Sequence, residues 1–216
     1  MIINAAISVI IASVIGYLLG SIPSAYIAAR LVTGKDVRQL GGGNIGGLNV
    51  YREIGAWPAL AVVTVDLGKG AAAVAVAHWL LNLSQPFVLL TALATIIGHN
   101  WMVWLKFSGG KGMGAIIGAL AIMMPLYGAG PGLLIFLSIV LVPLIITRNV
   151  ALSLGTGLIS LPFIGWLGMQ SGWFTTWSII TGVIIGLKFL PTARAAWARS
   201  ENKKEFIFDR QQRGRR

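Results

Sequence analysis

The residues best suited to bind an anion in this chain are two cations beside runs of glycine. Residues 41–47 read GGGNIGG and precede Arg52, and residues 108–112 read SGGKG and contain Lys111. Glycine lets backbone N–H groups approach an anion closely and form a nest around it. Lysine adds a point charge, and arginine adds a planar fork for phosphate oxygens. The pattern predicts a phosphate site, whereas either loop alone fits a flexible connection with solvated charges.

Both loops also carry partial matches to nucleotide-binding motifs, which we reject. Gly41-x-Gly43-x-x-Gly46 has the spacing of a dinucleotide fingerprint, but no βαβ pattern surrounds it. The GGKG run at 109–112 lacks the Ser or Thr that follows the lysine of a Walker A motif. The two loops therefore point to phosphate binding without a nucleotide-binding fold.

Three further polar residues lie in apolar surroundings. Asp66 and Lys69 are three residues apart and share one helix face, so they form either a structural ion pair or a support for the site. His99 is a candidate general base, phosphate ligand or interface residue. The sequence has no His/Glu cluster with metal-ligand spacing and no Ser-His-Asp arrangement, so we expect no cofactor or metal. Catalysis by positioning and charge stabilisation fits an activated substrate.

The composition is that of a membrane protein. Of the 216 residues, 56% are hydrophobic and 11% are charged, against roughly 25% charged in soluble domains. The absence of cysteine excludes disulfides, thiolate metal sites and cysteine nucleophiles. The net charge of +11 is concentrated partly in the tail, where it favours contact with anionic lipid over nucleic acid.

Seven apolar windows approach the roughly 20 residues that a spanning helix needs. They cover residues 3–30, 57–81, 86–105, 112–128, 131–147, 150–168 and 173–190. The sequence thus predicts an all-α integral membrane protein with seven transmembrane helices in a domain over residues 1–192. A basic cytoplasmic tail over 193–216 follows it.

The charges in the connections predict the orientation. Basic connections, including 31–56, 106–111 and the turn at Arg148, alternate with the uncharged turns NLSQ, GAGP and GMQSG. The positive-inside rule then puts the N-terminus outside and the C-terminus in the cytoplasm. Both glycine loops and Arg148 are expected on the cytoplasmic side of the cell membrane.

Three motifs, in this order, resemble the bacterial membrane acyltransferase family that moves an acyl group from acyl phosphate to glycerol 3-phosphate (PlsY type). They are YLLGSIPSAYIAARLVTGKDVRQLGGGNIGGLNVYREIG, DLGKG and GHNWMVWLKFSGGKG. The resemblance spans nearly the whole chain and implies the same seven-helix, N-outside topology. It also implies that lysophosphatidic acid is made for phospholipid synthesis in the plasma membrane, and we expect a monomer with no nucleic-acid partner.

The resemblance assigns roles by position in the motifs. Arg52 and Lys111 would hold phosphate, His99 and Lys69 would support the pocket, and the acceptor hydroxyl would attack the acyl carbonyl. The implied catalytic residues are Arg52, His99 and Lys111. The implied phosphate-binding residues are Asn44, Gly46, Asn49, Arg52, Lys69, Gly109, Gly110, Lys111, Gly112 and Arg148.

The chain departs from the family pattern mainly at polar positions. Where the family has serine, this chain has Gly42 and Ala151, and where the family has threonine, it has Leu48 and Ala115. It has Met102 in place of proline, Phe189 in place of histidine and Thr192 in place of asparagine. Losing a hydroxyl that meets a buried polar atom costs ~1–3 kcal/mol. The alternative function is therefore a homologue with a different acceptor or lost catalysis that binds a phosphorylated lipid or metabolite. An organophosphate transporter is disfavoured because the sequence shows no internal repeat.

Overall fold

The structure is a computed structural model that describes residues 2–147 and 149–199. Arg148 and the basic tail from residue 200 onward lie outside these ranges. The described chain is helical, apart from loops and one isolated bridge between Met102 and Ser108. Its helices are α1 (Ile2–Ser21), α2 (Ser24–Thr33), α3 (Gly47–Glu53), α4 (Ala56–Ala75), α5 (Gln85–Asn100), α6 (Met113–Leu126), α7 (Gly130–Thr147), α8 (Val150–Ile164) and α9 (Gly172–Arg199).

Short π-helical turns extend two of these helices, and short 3₁₀ turns lie in two of the connections. A π-helical turn, Val76–Leu80, extends α4, and another, Gly165–Met169, extends α8. The 3₁₀ turns Val37–Gln39 and Val103–Leu105 lie in the connections that contain the glycine loops. The sequence predicted a domain end at residue 192, and α9 continues beyond it to Arg199.

Five segments of the described chain are long and apolar enough to cross a membrane. They are Ala5–Thr33, Ala56–Leu80, Gly130–Thr147, Val150–Met169 and Gly172–Pro191. The predicted all-α membrane class is thereby confirmed. The windows 86–105 and 112–128 coincide with α5 and α6, which have 16 and 14 residues. Seven spans and the orientation of the chain stay predictions.

The described residues divide into two compact units, one that ends at Met123 and one that begins at Met124. In the first unit, glycines let helix backbones pack closely, as small residues do in membrane bundles. A Cβ built on Gly20 would overlap the Thr95 carbonyl of α5, and one on Gly98 would overlap the Tyr17 carbonyl of α1. Gly70 of α4 meets the Ala115 carbonyl of α6 in the same way.

An apolar cluster in the first unit supports the segments that contain the glycine loops. It joins α2 and α4 to residues on either side of the first loop and to residues that precede the second loop, including Val37, Val50 and Met102, each at most 1% exposed. Ile45, within the first loop, is 4% exposed and belongs to this cluster. The loop backbones are therefore attached to a packed core.

The second unit contains α7, α8 and α9. Gly157 of α8 packs against Phe136 and Val140 of α7. Gly165, after α8, packs against Phe174 of α9, whose ring centroid lies 5.4 Å from that of Trp177. The same use of glycine at helix contacts thus recurs in this unit.

Candidate functional site

The first glycine loop is shaped by left-handed glycines and one buried amide. Gly41 and Gly43 have φ angles of +52° and +69°, which glycine adopts at little cost. The Gly43 N–H donates to the Leu40 carbonyl at 2.9 Å. The Asn49 side-chain amide donates to the carbonyls of Leu40 at 3.0 Å and Val37 at 3.4 Å. Asn49 therefore ties the first turn of α3 to the entry of the loop.

The second glycine loop folds back onto the end of α5. The Gly110 N–H donates to the His99 carbonyl at 3.0 Å. A Cβ built on Gly109 would lie 2.5 Å from the Asn100 carbonyl oxygen. A Cβ built on Gly112 would lie 3.0 Å from the side-chain Oδ1 of Asn100. Side chains at these two glycines would therefore crowd Asn100. Gly112 has a φ of +78°, so both its conformation and its surroundings favour glycine.

The two glycine loops contact each other at Gly110. A Cβ built on Gly110 would lie 2.6 Å from the Ile45 carbonyl oxygen of the first loop. On another side the same atom would overlap Nε2 of His99. Gly110 therefore fits between a backbone carbonyl and an imidazole, and only a residue without a side chain leaves both in place. The structure thus brings together two loops that are more than sixty residues apart in the sequence.

Lys111 is half-buried within the second loop. Loss of hydration on burial lowers the pKa of its ammonium from the ordinary lysine value of 10.5. A nearby anion offsets the free-energy cost of burying the ammonium, because the anion favours the charged form of the lysine. The position suits a residue that receives a phosphate group.

Beside the loops lies a buried cluster of charged and polar side chains. Lys69 Nζ donates to Asp66 Oδ1 at 2.6 Å, to the Ile22 carbonyl at 2.6 Å and to Ser24 Oγ at 3.3 Å. Ser24 Oγ donates to the same Asp66 oxygen at 2.6 Å. His99 Nδ1 is 3.8 Å from that oxygen. The ion pair expected from the spacing of Asp66 and Lys69 is present, and it reaches α5 and the break between α1 and α2.

The three N–H donors of Lys69 have three oxygen acceptors within this cluster. The carbonyl of Ile22 is one of them because Pro23 interrupts the helix between α1 and α2. With Lys69 only 3% exposed, the structure favours the structural or supporting role over direct phosphate contact. Contact between Lys69 and phosphate stays a prediction.

The other predicted residues differ in burial. His99 is 3% exposed and supports Gly110 from inside the protein. Asn44 is exposed in the first loop, and Arg52 is exposed in the last turn of α3. Gly46 precedes α3 as its N-cap residue. Arg148 lies outside the described residues.

Sequence reasoning missed Ser24 and Asn100 as candidate site residues and left Asp66 without a definite role. Ser24 follows Pro23 at a helix break, and Asn100 follows His99 at the end of an apolar helix. Asn100 is fully buried and adjoins two glycines of the second loop. Polar residues at an interruption of an apolar helix were the available signal, because backbone groups freed there need partners.

Comparisons with known proteins agree with this architecture. A family model described as glycerol-3-phosphate acyltransferase matches residues 10–205. Glycerol-3-phosphate acyltransferase 1 of Dehalococcoides mccartyi is 49% identical over 195 residues, which cover 90% of this chain and 94% of that protein. The glycerol-3-phosphate acyltransferase of Thermosynechococcus vestitus is 36% identical over 182 residues, which cover 80% and 84% of the two chains.

A solved structure agrees as well. The crystal structure of PlsY, an integral membrane glycerol 3-phosphate acyltransferase, in its glycerol 3-phosphate form has a TM-score of 0.80 to this chain. The two are 26% identical, and the match covers 88% of this chain and 92% of PlsY. The resemblance seen in the three motifs is confirmed over most of the sequence and over the fold. The chain belongs to the glycerol-3-phosphate acyltransferase family.

Proposed function

We propose that the protein is a membrane acyltransferase that moves an acyl group from acyl phosphate to a hydroxyl of glycerol 3-phosphate. The product is lysophosphatidic acid. The observation that carries the proposal is the contact between the two glycine loops at Gly110. This contact supports one phosphate cradle built from both loops, next to Lys111 in the second loop.

The reaction needs little beyond positioning and charge. The acceptor oxygen attacks the acyl carbonyl carbon, the bond from that carbon to the phosphate oxygen breaks, and phosphate leaves. The acceptor proton passes to the departing phosphate, so a dedicated protein base is not required. Backbone N–H groups of residues 109–112 and the Lys111 ammonium stabilise the developing negative charge. Arg52 supplies further positive charge for the phosphorylated substrates, and the role that the resemblance implies for Arg148 stays a prediction.

The seven-span arrangement is part of the proposal. Helices α5 and α6 have 16 and 14 residues, so at ~1.5 Å per residue they are ~24 Å and ~21 Å long. A hydrocarbon core is ~30 Å thick, so each helix covers most of that thickness. The alternation of basic and uncharged connections supports an active site on the cytoplasmic face of the plasma membrane, in a monomer.

The test is an assay of the purified protein in detergent with acyl phosphate and glycerol 3-phosphate. We expect release of inorganic phosphate together with formation of lysophosphatidic acid. Lys111→Ala should lower kcat/KM by about a hundredfold or more, as removal of one charge-stabilising donor does elsewhere. Lys106→Ala is the matched control, because Lys106 is an exposed cation in the same connection.

Two results would contradict the proposal. One is phosphate release by the parent that does not exceed release by Lys111→Ala. The other is equal loss of activity in Lys106→Ala, which would assign the effect to general charge in this connection and not to the cradle.

A further inference from the structure

We propose that Asp66 is a positioning residue for acyl transfer, which acts through His99 to hold the glycine–lysine loop, residues 108–112, in its binding shape. The proposal rests on the function proposed above. Asp66 belongs to α4 and hydrogen-bonds with Ser24 and Lys69, so its influence on the loop passes through its neighbours. The contacts of those neighbours define the route.

A single carboxylate oxygen of Asp66 gathers groups from three helices. Oδ1 accepts from Ser24 Oγ of α2 and from Lys69 Nζ of α4, each at 2.6 Å, and lies 3.8 Å from His99 Nδ1 of α5. The Asp66 side chain is 8% exposed and that of His99 is 4% exposed. A buried carboxylate attracts the positive end of a nearby N–H dipole more strongly than it would in water. We infer that Asp66 in this way directs Nδ1 of the imidazole, 3.8 Å away.

The opposite edge of the same imidazole supports the loop. Nε2 of His99 occupies the space beside the Gly110 Cα, and the His99 carbonyl accepts the Gly110 N–H at 3.0 Å. Because an imidazole is rigid, fixing Nδ1 toward Asp66 also fixes where Nε2 lies. A ring that rotated away from Asp66 would move against Gly110 or leave space beneath it.

Asp66 also lies against the other end of the loop. A Cβ built on Gly114, in the first turn of α6, would lie 2.6 Å from the Asp66 Cβ. The loop is thus bounded by His99 before it and Gly114 after it, and Asp66 adjoins both. Lys111 lies between these two boundaries, so the position of its charge depends on both.

Stability alone does not account for the ion pair. Replacing both members of a buried pair often leaves a protein equally stable, whereas removing one member leaves an uncompensated charge. Asp66→Asn with Lys69→Gln removes both charges at nearly constant shape. A purely structural pair predicts that this double variant folds and keeps its loop and its kinetics. A positioning role predicts a folded protein with an altered loop.

The experiment compares this double variant with the parent by backbone hydrogen–deuterium exchange and by steady-state kinetics in detergent. We expect exchange in residues 109–112 to become about tenfold faster and kcat/KM for glycerol 3-phosphate to fall about tenfold or more, because small misplacements of catalytic groups are costly. The matched control is Asp36→Asn with Arg38→Gln, which neutralises the ion pair between Asp36 and Arg38. The control should leave both readouts near those of the parent.

A second background tests the route through His99. If Asp66 acts through His99, then adding the double variant to His99→Gln should change kcat/KM by only about twofold, since coupled residues are not additive. A full additive loss in that background would overturn the route. Parent-like exchange and kinetics in the folded double variant would overturn the proposal itself.

The proposal can still be tested if the double variant does not fold or if the parent shows no acyl transfer. If the double variant fails to fold, Asp66→Glu keeps the charge and moves the carboxylate by one methylene. Faster exchange in 109–112 is then expected, and unchanged exchange and kinetics would overturn the proposal. If the parent shows no acyl transfer, the proposed function fails, while the exchange measurements still decide whether Asp66 holds the loop.

Discussion

The two glycine loops have similar sequences but are held in different ways. In residues 41–47 the glycines meet a conformational need, because Gly41 and Gly43 have positive φ angles and a side-chain amide from Asn49 completes the turn. In residues 108–112 the need is mainly spatial, because a side chain at Gly109 or Gly110 would meet backbone oxygens or an imidazole. The glycines of the two loops thus meet two separate physical requirements.

The loops also differ in exposure. Gly41, Gly42 and Asn44 of the first loop are exposed and Ile45 alone among its residues is buried, whereas Gly110 and Gly112 of the second loop are buried. The second loop adjoins the buried Asp66 cluster, and the first contacts the second at Gly110. We infer that the second loop fixes the geometry of the cradle and that the first loop adapts to it. Substitutions in the second loop should therefore have the larger effects.

The largest expected effect comes from a matched pair of alanine substitutions. Gly110→Ala should lower kcat/KM by about a hundredfold or more, because the methyl group displaces Ile45 or His99 and separates the loops. Gly42→Ala is the control: it is exposed, and among the described residues nothing lies within 4 Å of a Cβ built there. Steady-state kinetics of both variants would test the comparison, and equal losses would refute it.

A smaller effect is expected for the amide that shapes the first loop. Asn49→Ala removes donors from the carbonyls of Val37 and Leu40, each of which keeps one backbone donor. We therefore expect a loss of roughly 1 kcal/mol in the free energy of unfolding, and a modest rise in KM for glycerol 3-phosphate. Gln39→Ala, at an exposed position beside the loop, should change neither quantity. Thermal unfolding with kinetics would check this, and a larger effect from Gln39→Ala would contradict the role given to Asn49.

The buried position of Lys111 predicts a dependence of stability on pH. Its pKa is lowered from 10.5 by desolvation, so the unfolded chain binds more protons at this site than the folded chain between the two pKa values. Unfolding is therefore favoured below the folded pKa, and the penalty is relieved as pH rises toward 10.5. Lys111→Met should have a higher Tm than the parent at pH 7, and the difference should narrow toward pH 10.

Two further measurements complete this test. Lys106→Met should show no such convergence, since Lys106 is exposed. Phosphate added at pH 7 should raise the Tm of the parent and should raise that of Lys111→Met much less, because an anion stabilises the lysine cation. A Tm difference that is constant from pH 7 to pH 10 would contradict the predicted burial of this charge.

The comparison also shows what the sequence alone could predict. The long apolar helices follow from apolar length, although the window 3–30 is divided into α1 and α2 and the short α3 lies in a predicted connection. The ion pair between Asp66 and Lys69 follows from their i, i+3 spacing on α4. The buried cluster around Asp66 also contains Ser24 and His99. They come from other helices, and no local spacing in the sequence connects them to Asp66. The contact between Ile45 and Gly110 likewise depends on how α2, α4 and α5 pack, so glycine content alone predicted two loops without the contact between them.

The smallest effect should come from restoring a hydroxyl to the first loop. The family pattern has serine where this chain has Gly42, which is exposed and has room for a side chain within the described structure. Gly42→Ser should therefore leave Tm unchanged and raise kcat/KM for glycerol 3-phosphate by a few-fold at most, since one added hydrogen bond is worth ~0.5–1.5 kcal/mol. Gly42→Ala separates the hydroxyl from the added bulk. An increase in the serine variant alone would show that the exposed loop tunes acceptor binding, whereas an equal response of both variants would show that the hydroxyl makes no contact with the acceptor.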